Sequence, residues 1–183
     1  MYKIPNMNVL LQMTLLDEIA LQAQIAIRAF ERLNAEENQF DQIEIWGAIQ
    51  SILVSSGNVS KILWPMKKFG ERGKLLRQYL NIPENHILAP RVFRNHFEHF
   101  DERVEERFNK IPYGIYEDRA MNPSLPPVFD DREQMCQRGY NTFNHTLIFD
   151  GEILDIQALI NALKDLINYL KVNKLTLFKS KNL

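Results

Sequence analysis

VLLQMTLLDEIALQAQIAIRAFERL, residues 9–33, decides the fold class. Val9, Met13, Leu16, Ala20, Ala23, Ile27 and Phe30 recur at alternating steps of 4 and 3, a heptad-like stripe. Leu15, Ile19, Ala26 and Leu33 widen that stripe, as a helix packed inside a bundle requires. Asn34 is a natural stop. The stripe suits either a bundle helix or an intermolecular coiled coil, and a run of little more than three heptads favours the bundle.

The same periodicity continues along the chain. A second helix is expected from about Phe40 into the fifties, with Ile43, Trp46, Ile49 or Ile52, and Leu53 inward. Ser55-Ser56-Gly57-Asn58 ends or kinks it, or it continues through Val59 to Leu63. Trp64-Pro65 closes it, because the residue before proline avoids the α region. A short helix follows from Glu71 to Leu80. A third long helix lies within Pro83 to Lys110, starting or kinking at Pro90, with Phe93, Phe97, Phe100, Val104 and Phe108 as its core stripe. Tyr140 to Phe149 reads as a strand, Asp150-Gly151 as a two-residue hairpin turn, and Glu152 to Leu154 as the return strand. A last amphipathic helix runs from about Asp155 to Val172, with a polar, fraying tail from Asn173. The expectation is one all-α domain over residues 1–183. It is an antiparallel bundle of four main helices plus a short one, with residues 112–154 forming a Pro-rich loop and small β-hairpin insertion.

Composition narrows the function classes. Apolar residues make up 45% and charged residues 25% of 183, which excludes wholesale disorder and collagen. One cysteine, Cys136, excludes an internal disulfide and suits a reducing compartment. A net charge of −1 supplies no global field for nucleic acid, so any such partner needs a local patch. No run of 18 apolar residues and no signal-peptide pattern occurs, so no membrane association and a cytoplasmic location are expected.

The local patch is Lys61 to Arg77. Lys61, Lys67, Lys68, Arg72, Lys74 and Arg77 face Glu71 alone, a balance of +5, with Trp64 and Phe69 interleaved as a single-strand binder would use them. A solvated connection between helices explains the same residues. Among His86, His96, His99 and His145 no Glu-x-x-His pair occurs, so no metal is expected. The chain has no Gly-x-Ser-x-Gly elbow and no Gly-rich phosphate loop, and no cofactor is expected.

The densest chemistry lies in Arg94-Asn95-His96-Phe97-Glu98-His99-Phe100-Asp101-Glu102-Arg103. On a helix, Asn95, His99, Glu102 and Glu106 point away from the Phe stripe, with Arg94 on one flank and His96 and Arg103 on the other. Imidazole exchanges protons near neutrality, and a guanidinium grips phosphate oxygens with a fork of donors. A solvated face tied by i,i+4 pairs such as Arg94–Glu98 is the alternative.

Arg94-Asn95-x-x-x-His99 resembles the R-x(4–6)-H motif of the HEPN superfamily, and the longer string resembles a group of bacterial HEPN-like proteins, which places it near stress or defence functions. The resemblance implies a helical homodimer in which two copies of the motif form one composite site. It further implies a metal-independent endoribonuclease that drives the ribose 2′-OH onto the adjacent phosphorus, leaving a 2′,3′-cyclic phosphate and a 5′-hydroxyl. On that carry-over His99 transfers protons, Arg94 stabilises the phosphorane, and Asn95 orients His99 or the phosphate. Arg94 and His99 stand about 140° apart on an ideal helix, which a two-copy site relieves. The toxin subtype has a Tyr two positions after the motif His; here that position is Asp101, so no antitoxin of the nucleotidyltransferase kind is implied. The alternative is a catalytically inactive HEPN-like module that binds a nucleotide or an unidentified protein partner.

Overall fold

The computed structural model describes residues 4, 7–35, 41–110, 118–121 and 136–179. Among these the protein is mostly helical: α1 (Val9–Leu33), α2 (Gln42–Leu63), α3 (Gly70–Leu80), α4 (Val92–Glu98), α5 (Phe100–Lys110) and α6 (Ile156–Lys179). A 3₁₀ turn, Lys67–Phe69, precedes α3. Most of the expected Pro-rich loop, 111–117 and 122–135, lies outside the described residues.

Caps fix several boundaries. The Asn8 carboxamide oxygen accepts from the Leu10 and Leu11 N–H groups, and Asp41 does the same for Ile43 and Glu44 at the start of α2. Asn81 ends α3 in the left-handed region, at φ 54°. Asp155 caps α6 through the Ala158 N–H, and α6 continues to Lys179, beyond the expected end at Val172.

The core lies where α1 meets α2 and α6, with α3 against α2 and α6. On α1, Leu16, Ile19, Ala23, Ala26, Phe30 and Leu33 are buried. Val9 and Met13, expected in the stripe, are exposed, and the first buried position of α1 is the polar Gln12, which accepts from the Ile4 N–H. α1 is also the one described helix long and apolar enough, by length and composition, to cross a membrane. On α2 the buried set is Ile45, Trp46, Ile49, Ile52, Leu53, Val59 and Leu63; Ile43, expected inward, is exposed. Ser55, Ser56, Gly57 and Ser60 do not interrupt α2 but are buried in it. Small side chains there let the 83–91 segment and α4 approach, and Ser60 Oγ donates to the Ala89 carbonyl at 2.8 Å.

The third long helix is corrected to two. α4 ends at Glu98, His99 leaves helical geometry (φ −113°, ψ 39°), and α5 restarts at Phe100. The two halves have different anchors. Phe93 and Phe97 pack on the core, whereas α5 is tied to the hairpin turn by Arg107 and Asp150 at 2.8 Å. Phe100 and Phe108, expected in the core, are therefore exposed, and Val104 is half-buried.

The expected strand over Tyr140 to Phe149 is likewise corrected to two strands. β2 (Arg138–Asn141) and β3 (Thr146–Phe149) pair antiparallel, Tyr140 opposite Leu147. Asn141 makes the turn by accepting from the Phe143 and Asn144 N–H groups. β3 pairs with β4 (Glu152–Asp155) across Asp150-Gly151, both at positive φ, as expected for the hairpin. A two-residue strand β1 (Ala120–Met121) adds in parallel to β2.

Candidate functional site

Trp64 and Ser60 hold the segment before α4 in place: the indole N–H donates to the Glu84 carbonyl at 2.9 Å. α4 then lies on α2 and directs its side chains to two different sides.

Arg94 points inward. Its side chain crosses the backbone of α2 at Gly57, so that a Cβ at residue 57 would stand 2.3 Å from Arg94 Cδ. The guanidinium pairs with Glu98, and its buried Nε has no hydrogen-bond partner among the described residues. Asn95 and His99 point outward. Both are exposed, and His99 Nδ1 lies 3.4 Å from Glu102 Oε1. Asp101, Glu102, Glu105 and Glu106 make this outer side acidic. Within one chain, therefore, Arg94 and His99 do not converge.

Arg94 lines a groove of about 710 Å³ between α2, α4, α5 and the start of the sheet. Arg138 and Arg119 enter it from the sheet side. Arg138 forms a bidentate pair with Asp118 (2.8 and 3.0 Å) and lies over the Trp46 and Phe97 rings, 5.5 and 5.3 Å from their centroids. Arg119 Nε is 3.4 Å from Asp118. Leu53, Val54, Phe97, Phe100 and Val104 supply apolar wall. His99 lies between Glu98 and Phe100 in sequence, but it is not part of the groove's described lining. Sequence reasoning missed Arg119 and Arg138; no spacing signal links residues 94, 119 and 138.

The expected basic patch divides. Lys61, Lys67, Lys68 and Lys74 are exposed, and Lys68 and Arg72 lie over the Phe69 ring, at 5.5 and 5.1 Å. Arg77 is corrected to a buried structural residue: it donates to the Leu63 carbonyl, pairs with Glu84 and stacks under Trp64. Trp64 itself is half-buried and lies parallel to His86, so it is no open stacking platform.

The other histidines take structural places. His96 stacks on Phe149, 4.5 Å between centroids and 7° between planes, with Nε2 3.7 Å from Glu152 and no hydrogen bond at either nitrogen. His145 Nδ1 is 2.8 Å from the Tyr140 hydroxyl. Burial lowers the pKa of His145, opposed by Asp155, and burial lowers that of His86, opposed by Asp165. Burial pushes the Tyr140 hydroxyl well above the usual phenol range. Among the described residues no cluster of three or more His, Cys, Asp or Glu side chains is placed to hold a metal ion. Half-buried Cys136 donates to the Arg138 carbonyl.

Compared with protein-family models, curated proteins and solved structures, the chain matches none.

Proposed function

We propose that the chain is a HEPN-like helical bundle acting in the cytoplasm as a metal-independent endoribonuclease. Two copies complete its site, with the motif helices near a two-fold axis. The observation that supports this reading is the position of His99: exposed, at the junction of α4 and α5, five residues along the chain from Arg94. In the reaction His99 takes the proton from the ribose 2′-OH as that oxygen attacks phosphorus. The P–O5′ bond breaks, the His99 imidazolium gives its proton to O5′, and a 2′,3′-cyclic phosphate remains. Arg94 stabilises the phosphorane, and Asn95 orients the imidazole or the phosphate. Since one chain turns Arg94 and His99 to different sides, the pair that acts on one phosphate comes from two chains. Lys61, Lys67, Lys68, Arg72 and Lys74 draw the RNA strand, with Arg77 holding that surface together from beneath. Arg94→Lys tests the role of the fork: cleavage falls with Lys, because a point charge does not reproduce bidentate contact. Retained full activity contradicts it.

A second reading is a catalytically inactive module that binds a nucleotide or a protein. The pairing of Arg94 with Glu98 and the acidic outer side around His99 favour it.

A further inference from the structure

The cleavage reading uses the cations beyond the end of α2 but not the apolar side chains exposed among them. In the connection from α2 to α3, Met66 is 71% exposed and Phe69 nearly half exposed. On the first turns of α1, Leu10 is 73% exposed, and Leu11 and Met13 are nearly half exposed. Single exposed apolar residues are ordinary, but two such groups at one place are not.

One hydrogen bond puts both groups at the same end of the bundle. Asn58 Nδ2 donates to Gln22 Oε1 at 3.2 Å, so residue 58 of α2 is level with residue 22 of α1. The two helices pack on each other, and the short connection between Leu33 and Gln42 makes them antiparallel. Counting on from that bond, Leu63 at the end of α2 is level with Asp17. Met13 and Leu10 therefore reach past the end of α2 by about 6–10 Å, at 1.5 Å per residue.

Cations surround this tip. Lys61, Lys67, Lys68 and Lys74 are exposed, and Lys68 and Arg72 lie over the Phe69 ring. Between residues 61 and 80 the acid is Glu71 alone. Glu84, whose carbonyl takes the Trp64 indole N–H, has its carboxylate on Arg77. On α1 the first acids, Asp17 and Glu18, come a turn deeper than Met13.

Of the partners that meet cations, one also accommodates aliphatic side chains. RNA bases stack on open aromatic faces. Leu10, Leu11, Met13 and Met66 offer none, and the Phe69 ring already carries two cations. A second copy would bring the same lysines against each other across a two-fold axis. A bilayer with anionic headgroups takes both parts: aliphatic side chains enter its interface while lysines stay at the phosphates. Contact of this kind needs no spanning run, and the buried face of α1 stays in the core.

We propose that this end of the bundle docks on an anionic lipid surface. Leu10 and Met66 enter the boundary between headgroups and acyl chains, and Lys61, Lys67, Lys68 and Lys74 lie at the headgroup phosphates. The dock involves neither Arg94 nor His99, and it shares only the lysines with the cleavage reading.

Co-sedimentation of the full chain with vesicles is the experiment, using phosphatidylcholine alone and phosphatidylcholine mixed with phosphatidylserine. Binding to the mixed vesicles is expected, about tenfold or more tighter than to phosphatidylcholine alone, and released by salt. Leu10→Gln combined with Met66→Gln, both at exposed positions, lowers vesicle binding about tenfold or more and leaves the helical circular-dichroism spectrum unchanged. Lys67→Glu combined with Lys68→Glu lowers it at least as far. No binding to the mixed vesicles, equal binding to both kinds, or no response to the Leu10 and Met66 changes overturns the dock. Single-stranded RNA bound through Lys67 and Lys68 by a protein that ignores the vesicles assigns the tip to RNA instead. A dimer that becomes a monomer on the Leu10 and Met66 changes assigns it to a second copy. RNA cleavage lost in His99→Ala alongside any of those results leaves the nuclease standing without the dock. Vesicle binding that follows these residues in a protein that cleaves no RNA leaves the dock standing without the nuclease.

Discussion

Arg94 reaches its groove only because residue 57 is glycine: its Cδ lies 2.3 Å from where a Cβ of α2 would stand, and its Nε 3.3 Å. The atoms in the way belong to a flexible side chain rather than to backbone. Gly57→Ala therefore moves the guanidinium and leaves the helices in place. Expected is a folded protein with an unchanged helical circular-dichroism spectrum and with RNA cleavage reduced. Cleavage at the wild-type rate shows that the position of Arg94 does not matter to the reaction.

Two other glycines give opposite signs. Gly47 is exposed on α2 with no atom within 4 Å of its missing Cβ, so Gly47→Ala gains roughly 0.5–1 kcal/mol from helix propensity. At Gly73 the Cβ meets the Leu63 carbonyl oxygen at 2.7 Å and Pro65 at 2.3 Å, and Gly73→Ala costs about 1–3 kcal/mol through overpacking. Urea unfolding of both variants checks the pair; equal shifts contradict the packing of α3 against the end of α2.

Arg77 provides a test of the corrected basic patch. Arg77→Met leaves the Leu63 carbonyl without its donor, which costs about 1–3 kcal/mol in unfolding free energy. The Glu84 pair adds little, because that carboxylate is 76% exposed. Lys74→Ala, at an exposed side chain, stays near zero. A neutral Arg77→Met returns Arg77 to the surface set.

Acid sensitivity follows from two histidines. Burial lowers the folded pKa of His145 and His86 below the ordinary 6.5. Between the folded pKa and 6.5 the unfolded chain binds more protons than the folded one, so stability rises with pH and is lost as pH falls through that window. Thermal melts are expected to show a lower Tm at about pH 5.5 than at about pH 7.5. His145→Asn, which tolerates the positive φ of 57° at that position, reduces the difference. An unchanged pH dependence removes His145 from the account.

Much of the helical frame was legible because one physical cause, burial of one face, writes a period into the sequence. Leu159, Ile160, Leu163 and Ile167 on α6 show this, and all are buried as read. The break at His99 was not legible, because Phe93, Phe97, Phe100, Val104 and Phe108 keep a helical period across it although the two halves have different anchors. The turn at Thr142–His145 did leave a signal, Asn141 and Asn144 flanking Phe143, which the surrounding apolar residues masked. Arg77 reads as surface charge because burial of a cation depends on distant partners, here Leu63 and Glu84. Helical spacing already set Arg94 and His99 about 140° apart, but the path of Arg94 across Gly57 was not legible, because it depends on a contact between helices distant in sequence.

Assembly is the next expectation. If two chains supply Arg94 and His99 to one phosphate, the protein is a homodimer in solution. Multi-angle light scattering is expected to give twice the 21.5 kDa chain mass at micromolar concentration. A monomer at high micromolar concentration removes the composite site.

The most direct test is cleavage of single-stranded RNA in EDTA by the wild type and by His99→Ala. General acid–base catalysis is worth about 10²–10⁴-fold, and the exposed His99 is not part of the core, so the variant should fold and lose activity on that scale. Wild-type products should end in a 2′,3′-cyclic phosphate, and 2′-O-methyl RNA should resist. Equal cleavage by both proteins, or none by the dimeric wild type on a varied RNA panel, contradicts the account.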